Sequence, residues 1–200
     1  MTSTFSIDLL RRRLLPTDTD LKSKETHPPH AAVAVIIDSS QTGSSLLLIR
    51  RTERSDDPWS GQIAFPGGHK APSDRSFLET AIREANEEVG ISLKKHVVLG
   101  VLPLVYARGR RVRVAPFVFQ LMTSVEIRSN MEVADVFWVP VNELANSAVT
   151  KSQVRVEGGE LTVSSYIYRR IVIWGLTFRI INLLLGKEKS WFSKYLENFT

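Results

Sequence analysis

The sequence predicts a single α/β (α+β) domain, and three observations carry that prediction. Short apolar, β-branched runs recur along the chain, among them Ala31–Ile37, Leu46–Ile49 and Val136–Val139. Between the second and third lies an amphipathic helical segment with clear start and stop signals, Ser76 to Gly90. No internal repeat and no change of composition divides the 200 residues, which amount to one ordinary domain. Strands interleaved with a few helices place the chain in the α/β or α+β class.

Taken in order, residues 3–15 carry Phe5, Leu9, Leu10 and Leu14 at helical spacing around Arg11, Arg12 and Arg13, which predicts an amphipathic opening helix. Pro16 to Pro29 is polar, contains three prolines and reads as a linker. Residues 1–29 are thus expected to pack on a domain spanning 30–200. Ala31–Ile37 reads as a buried strand, Asp38–Ser45 as a turn, and Leu46–Ile49 as a second strand ending in Arg50 and Arg51. Thr52–Ser60 is charged, includes Asp56-Asp57-Pro58-Trp59, and reads as loop. Gln62–Phe65 is expected to be a short strand running into a tight turn at Pro66-Gly67-Gly68. Ser76 is placed to cap a helix reaching Val89, with Ala81, Ala85 and Val89 on one side and Gly90 ending it. Strands follow at Val97–Val105 and Val112–Met122, joined through a basic hairpin turn at Arg108–Arg111, and another at Val136–Val139. Pro140–Leu144 opens a short helix, Arg155–Val163 reads as a hairpin turning at Gly158-Gly159, and the last 30 residues read as helical.

Composition narrows the chemistry. At 43% hydrophobic and 24% charged, the chain is that of a folded protein. The absence of cysteine excludes disulfides, thiolate zinc sites, iron–sulfur clusters and thiol nucleophiles. His27, His30, His69 and His96 are too scattered to suggest a histidine metal site, so any metal should be a hard cation held by oxygen. The net charge of +5 suits an anionic substrate, a nucleic acid or neither, depending on where the cations lie. The N-terminus has neither a basic start nor an apolar run, and so does not read as a signal peptide. The most apolar stretch, Ile171–Leu185, is interrupted by Arg179 and Asn182 and falls short of the ~20 residues a membrane span needs. A buried helix and a cytoplasmic protein are the expectation.

The most informative segment is Arg83-Glu84-Ala85-Asn86-Glu87-Glu88-Val89-Gly90-Ile91. On a helix, Glu84, Glu87 and Glu88 stand at i, i+3 and i+4 and project from one face. Three like charges so close raise one another's pKa values, and a divalent cation offsets the repulsion. The plain alternative is a solvated acidic face with Arg83 and Arg75 as counterions. Upstream, Phe65-Pro66-Gly67-Gly68 lets a backbone carbonyl approach an ion closely, and Asp74 follows six residues after Gly68.

The ordered set of strand, Gly-Gly turn, acid-bearing loop and Arg-Glu-x-x-Glu-Glu-x-Gly helix resembles the Nudix box. The resemblance implies an α/β/α sandwich around a mixed sheet, here with extra N- and C-terminal helices. It implies hydrolysis of a nucleoside diphosphate linked to another moiety, with Mg²⁺ or Mn²⁺ as cofactor. Carried over, Glu84, Glu87 and Glu88 bind metal with the Gly68 carbonyl, and Arg83 orients the carboxylates with Asp74 as its partner. Asp74, and the eight residues between it and Arg83, are similar to the coenzyme A pyrophosphatase branch. So are Leu47-Leu48 followed by arginine, Gly61-x-x-x-Phe65-Pro66-Gly67-Gly68, Gly100-Val-Leu-Pro103, Val114-x-Pro116, Asn130-x-Glu132-Val133 and Ile173-Trp174-Gly175-Leu176-Thr177. Asp57 departs from that branch, which places a second arginine there. The implied substrate is coenzyme A or an acyl derivative, cleaved to 3′,5′-ADP and 4′-phosphopantetheine or its acyl form. Alternatives within the family are ADP-ribose, NADH, a dinucleotide or a nucleoside triphosphate; a more distant one is a binding module without catalysis.

Other candidates lie outside the box. Arg50 and Arg51 are expected to bind substrate. Arg108, Arg110 and Arg111, with Arg113, read either as a clamp for a remote phosphate or as a solvated hairpin tip. Nucleic acid is disfavoured because only Tyr106 is near enough to supply stacking. Glu132 is either a completing metal ligand or general base, or a surface residue at a turn. Trp59 and Trp174 are read as packing residues before adenine platforms. Trp191, Phe192, Tyr195, Leu196 and Phe199 form an aromatic C-terminal stretch suited to the domain, to a second copy in a homodimer or to a membrane surface.

Overall fold

The computed structural model describes residues 5–19, 29–41, 43–55, 59–107, 112–156 and 158–187. β1 (Ala31–Gln41) and β2 (Gly43–Arg51) form an antiparallel hairpin with Ile37 opposite Leu46 and Asp38 opposite Ser45. Most of the expected turn at 38–45 is therefore strand. Once the apolar pair sets the register, ladder hydrogen bonds carry the polar residues along, and the reversal falls between Gln41 and Gly43. β7 (Val112–Gln120) runs parallel to β1, from Ala31 beside Val114 to Ile37 beside Gln120. The other pairings are antiparallel, so the sheet is mixed.

The main path is β3 (Ile63–Ala64), β2, β1, β7, β5 (Val97–Val101). Off it, β4 (Gly67–His69) pairs with β1, β6 (Val105–Ala107) with β7, and β8 (Val133–Pro140) with β2. The expected Gly-Gly turn is thus itself a strand, with Gly67 and Gly68 opposite Val33 and Ala32. A Cβ on Gly67 would overlap the Ala32 carbonyl oxygen, so only glycine lets β4 lie this close. The single strand expected at 97–105 breaks at Leu102-Pro103-Leu104, where Pro103 has no N–H for a ladder.

Alternation along β1 buries both of its faces. Ala32, Ala34 and Ile36 meet α2 (Phe77–Val89) through Ala81, Ala85 and Val89. Val33, Val35 and Ile37 face the opposite layer, made of α1 (Ile7–Arg11), α4 (Gly175–Leu185) and a second sheet. That sheet is three-stranded and antiparallel: β9 (Thr150–Val156), β10 (Gly159–Tyr168) and β11 (Ile171–Trp174). α3 (Val141–Asn146) follows β8 and buries Val141 and Leu144. This is the α/β/α sandwich around a mixed sheet.

Both ends differ from the helices expected there. α1 has five residues, because Leu15 leaves helical conformation to bridge Val101 by two backbone hydrogen bonds of 2.9 and 3.0 Å. Arg13 then donates to the Leu184 carbonyl at 3.0 Å, which ties this segment to α4. At the other end Ile171–Trp174 is strand, because β10 offers it a pairing edge. Trp174 therefore closes β11 rather than sitting inside a helix. The aromatic stretch from Trp191 to Phe199 lies outside the described residues, as do Asp57, Arg108, Arg110 and Arg111. No described helix is long and apolar enough to cross a membrane.

Candidate active site

α2 is held at both ends by its own sequence. Ser76 Oγ accepts the Glu79 N–H at 3.1 Å, and Glu79 reaches back to the Arg75 N–H at 2.6 Å. Gly90, at φ 73°, closes the helix by donating to the carbonyls of Ala85 and Asn86. With the alanine side in the core, the glutamates project toward β4 and the end of β2.

Glu88 is almost fully buried, and its Oε2 accepts the Gly67 N–H at 2.8 Å. Arg51 Nη1 lies 3.9 Å from the other carboxylate oxygen. Burial pushes the Glu88 carboxyl up to about 7; the Gly67 hydrogen bond and Arg51 oppose the shift, while the charges of Glu84 and Glu132 add to it. Glu84 is raised too, by burial first, with Arg83 opposing. Glu87 is half-exposed.

Arg83 is the hub. Its guanidinium donates to Asp74 at 3.0–3.3 Å and to the His69 carbonyl at 3.2 Å, and its Nη1 meets Glu84 at 2.9 Å and Glu87 at 2.8 Å. Asp74 also accepts from the Ala71 N–H and the Thr80 hydroxyl, both at 2.9 Å. The Arg83 hydrogen bonds hold the Asp74 carboxyl down at about 2, and Asp74 in turn raises the guanidinium. The expected Asp74–Arg83 pairing is present.

Among the described residues, no three acidic or imidazole groups converge on one point as the side chains stand, since Arg83 Nη1 lies between Glu84 and Glu87. The donor set nonetheless fits a hard divalent cation. All the donors are oxygens, and the Gly68 backbone lies so close to Glu84 that a Cβ there would overlap Oε1.

The remaining candidates divide. Arg51 turns toward Glu88, whereas its neighbour Arg50 stacks on Phe137 at 5.6 Å and has Nε 3.1 Å from Asp135. Glu132 is about half-exposed, 3.9 Å from Arg54, and close enough for its charge to raise both Glu84 and Glu88. Arg113 is not at a solvated tip but buried in β7. Sequence reasoning missed Thr80 and the His69 carbonyl, which brace Asp74 and Arg83, and Arg54 opposite Glu132. None of these carries a local pattern.

Known proteins point the same way. Residues 28–156 match the NUDIX domain. The chain is 39% identical over 181 residues to the uncharacterized Nudix hydrolase NudL of Photorhabdus laumondii, covering 88% of this chain and 94% of that one. It is 37% identical over 159 residues to NudL of Pectobacterium atrosepticum, covering 77% and 80%. A MutT/nudix family protein from Enterococcus faecalis superposes with a TM-score of 0.51 at 16% identity, over 84% of this chain and 65% of that one, which speaks to fold alone. The domain match takes in the Gly67-Gly68 strand and the whole carboxylate face of α2, and the relatives cover most of what remains. The chain belongs to the Nudix family of hydrolases.

Proposed function

We propose that this Nudix hydrolase cleaves the diphosphate of coenzyme A or an acyl-coenzyme A, giving 3′,5′-ADP and 4′-phosphopantetheine or its acyl form, with Mg²⁺ or Mn²⁺. One observation carries the reaction class: Glu84, Glu87 and Glu88 share one face of α2, with Glu84 and Glu88 against the Gly67–Gly68 backbone. In this reading these three carboxylates and the Gly68 carbonyl hold the cation. When bound, it neutralises the diphosphate and acidifies the attacking water.

The chain's own groups do the rest. Arg83 keeps Glu84 and Glu87 aligned through Nη1 and releases them to the cation, while Asp74 and the His69 carbonyl keep the guanidinium in place. Arg83 and Asp74 are thus positioning residues. In this reading Glu132, outside the box, or Glu88 accepts the proton of the attacking water. Arg50 and Arg51 supply cations for the phosphate oxygens, with Arg108, Arg110 and Arg111 as further contacts.

Coenzyme A is favoured by the Gly61-to-Gly68 run, the Asp74 spacing and the Trp174-Gly175-Leu176-Thr177 segment. The test is a side-by-side panel of coenzyme A, dephospho-coenzyme A, ADP-ribose, NADH and dGTP. Coenzyme A should be cleaved best, with dephospho-coenzyme A at least about tenfold less efficient, since charge-assisted contacts contribute about 1.5–3 kcal/mol each. Cleavage of ADP-ribose or NADH with none of coenzyme A would overturn the substrate and leave the hydrolase.

A further inference from the structure

Where β2 ends, the main sheet and the three-stranded sheet flank an open cleft of about 260 Å³. Three arginines from distant parts of the chain line it: Arg50 from β2, Arg155 from β9, and Arg170 from the turn between β10 and β11. The half-buried Trp174 forms part of the wall, and Glu53 is the one carboxylate in it.

Two of the three arginines have no carboxylate partner among the described residues. Arg155 and Arg170 are exposed and have no ion pair or hydrogen bond among the described residues; Glu160 stands opposite Arg155 in the ladder without pairing to it. Arg50 is ion-paired with Asp135, Nε to Oδ2 at 3.1 Å, although its buried Nε lacks the alignment of a hydrogen bond. Like charges in a cleft repel one another, and an anion offsets that cost. The turn that presents Arg170 is itself strained: Arg169 sits at φ 52°, the one non-glycine residue at positive φ among those described.

The cleft adjoins the carboxylate site by two short routes. Arg50 lines the cleft while Arg51, the next residue, faces Glu88. Ile63 lines the cleft and lies four residues before Gly67, the donor to Glu88, a path of at most about 14 Å. One ligand can reach both. Resting on the reaction proposed above, we infer that this cleft is the subsite for a phosphomonoester carried by the substrate away from the scissile diphosphate, with Arg155 and Arg170 as its specificity-determining residues. Forked guanidinium groups suit a dianionic phosphate, and Trp174 offers a face to the attached nucleoside.

The test is calorimetric titration of the full chain with adenosine 3′,5′-bisphosphate and with 5′-AMP, which differ by that one group. The wild type should bind the bisphosphate at least about tenfold more tightly. In R155A/R170A the ratio should fall toward one. In R155K/R170K, which keeps the charges and loses the forks, it should be intermediate. Both arginines are exposed, so a folding defect is not expected to blur the result. Equal affinities in the wild type, or a preference that survives in R155A/R170A, would overturn the inference. So would a preference lost only in R108A/R110A/R111A. Because binding is read without turnover, failure to cleave coenzyme A sinks the reaction reading alone. A tenfold preference abolished in R155A/R170A supports the cleft in either case.

Discussion

At Gly67 an added Cβ would overlap the Ala32 carbonyl oxygen and come within 2.7 Å of the Val33 Cα, atoms that cannot yield without moving β1. At Gly68 it would overlap the Glu84 carboxylate, the free end of a side chain that can swing away. Gly67→Ala should therefore destabilise the fold by about 1–3 kcal/mol, lowering Tm by several degrees. Gly68→Ala should melt near the wild type and lose turnover through a displaced Glu84. Wild-type turnover in Gly68→Ala would contradict that role. Asp74 makes a separate prediction. Its carboxyl is depressed from an ordinary 3.8 to about 2, so its stabilisation is complete above pH 3.8 and is lost as pH falls through about 2. Asp74→Asn should cost about 2–3 kcal/mol near neutrality. In urea unfolding, the gap between wild type and variant should close between pH 4 and pH 2. A gap that stays constant over that range would contradict the Arg83–Asp74 account.

α2 illustrates which elements are legible in a sequence. The Ser76 cap, the alanine spacing and the Gly90 stop are all local, and the helix follows them from Phe77 to Val89. The same periodicity puts the three glutamates on one face before any tertiary contact is known. Strands read less well because their partners are remote in sequence. β4 is a strand only because β1 runs beside Gly67 and Gly68, and β11 only because β10 offers an edge to an apolar run that reads equally as helix. Arg155 and Arg170 belong to the same class: each is an ordinary charged residue until the second sheet folds beside β2. The acidic face predicts a shift that melting can read. Glu84 and Glu88 repel each other in the metal-free protein, so Mg²⁺ or Mn²⁺ should stabilise the fold, by about 2.7 kcal/mol at a hundred times its Kd. For a domain of this size that is roughly 5–10 °C in Tm. No shift at millimolar metal would argue for a solvated acidic face.

In the whole molecule, the layer opposite α2 fixes the sheet edge on which the site depends. Thr177 of α4 donates its hydroxyl to the Ile63 carbonyl at 2.8 Å, and Tyr166 of β10 donates to Asn182 at 2.7 Å within the same layer. Ile63 is thereby held where the chain turns toward Gly67 and Glu88. The β2–β8 pairing brings Glu132 alongside Thr52 and within electrostatic reach of α2. Groups from β2, β4, α2 and the start of β8 thus meet at one edge, consistent with a hydrolase whose carboxylates act together. The direct measurement is turnover of the best diphosphate substrate, with Mg²⁺ or Mn²⁺, by Glu87→Gln and Glu88→Gln, with melting as the control for fold. Each variant should keep a native transition and lose at least about a hundredfold in kcat/KM, as loss of a group that stabilises developing charge does. Unchanged turnover in both variants would contradict the assignment of the α2 carboxylates as the catalytic metal site.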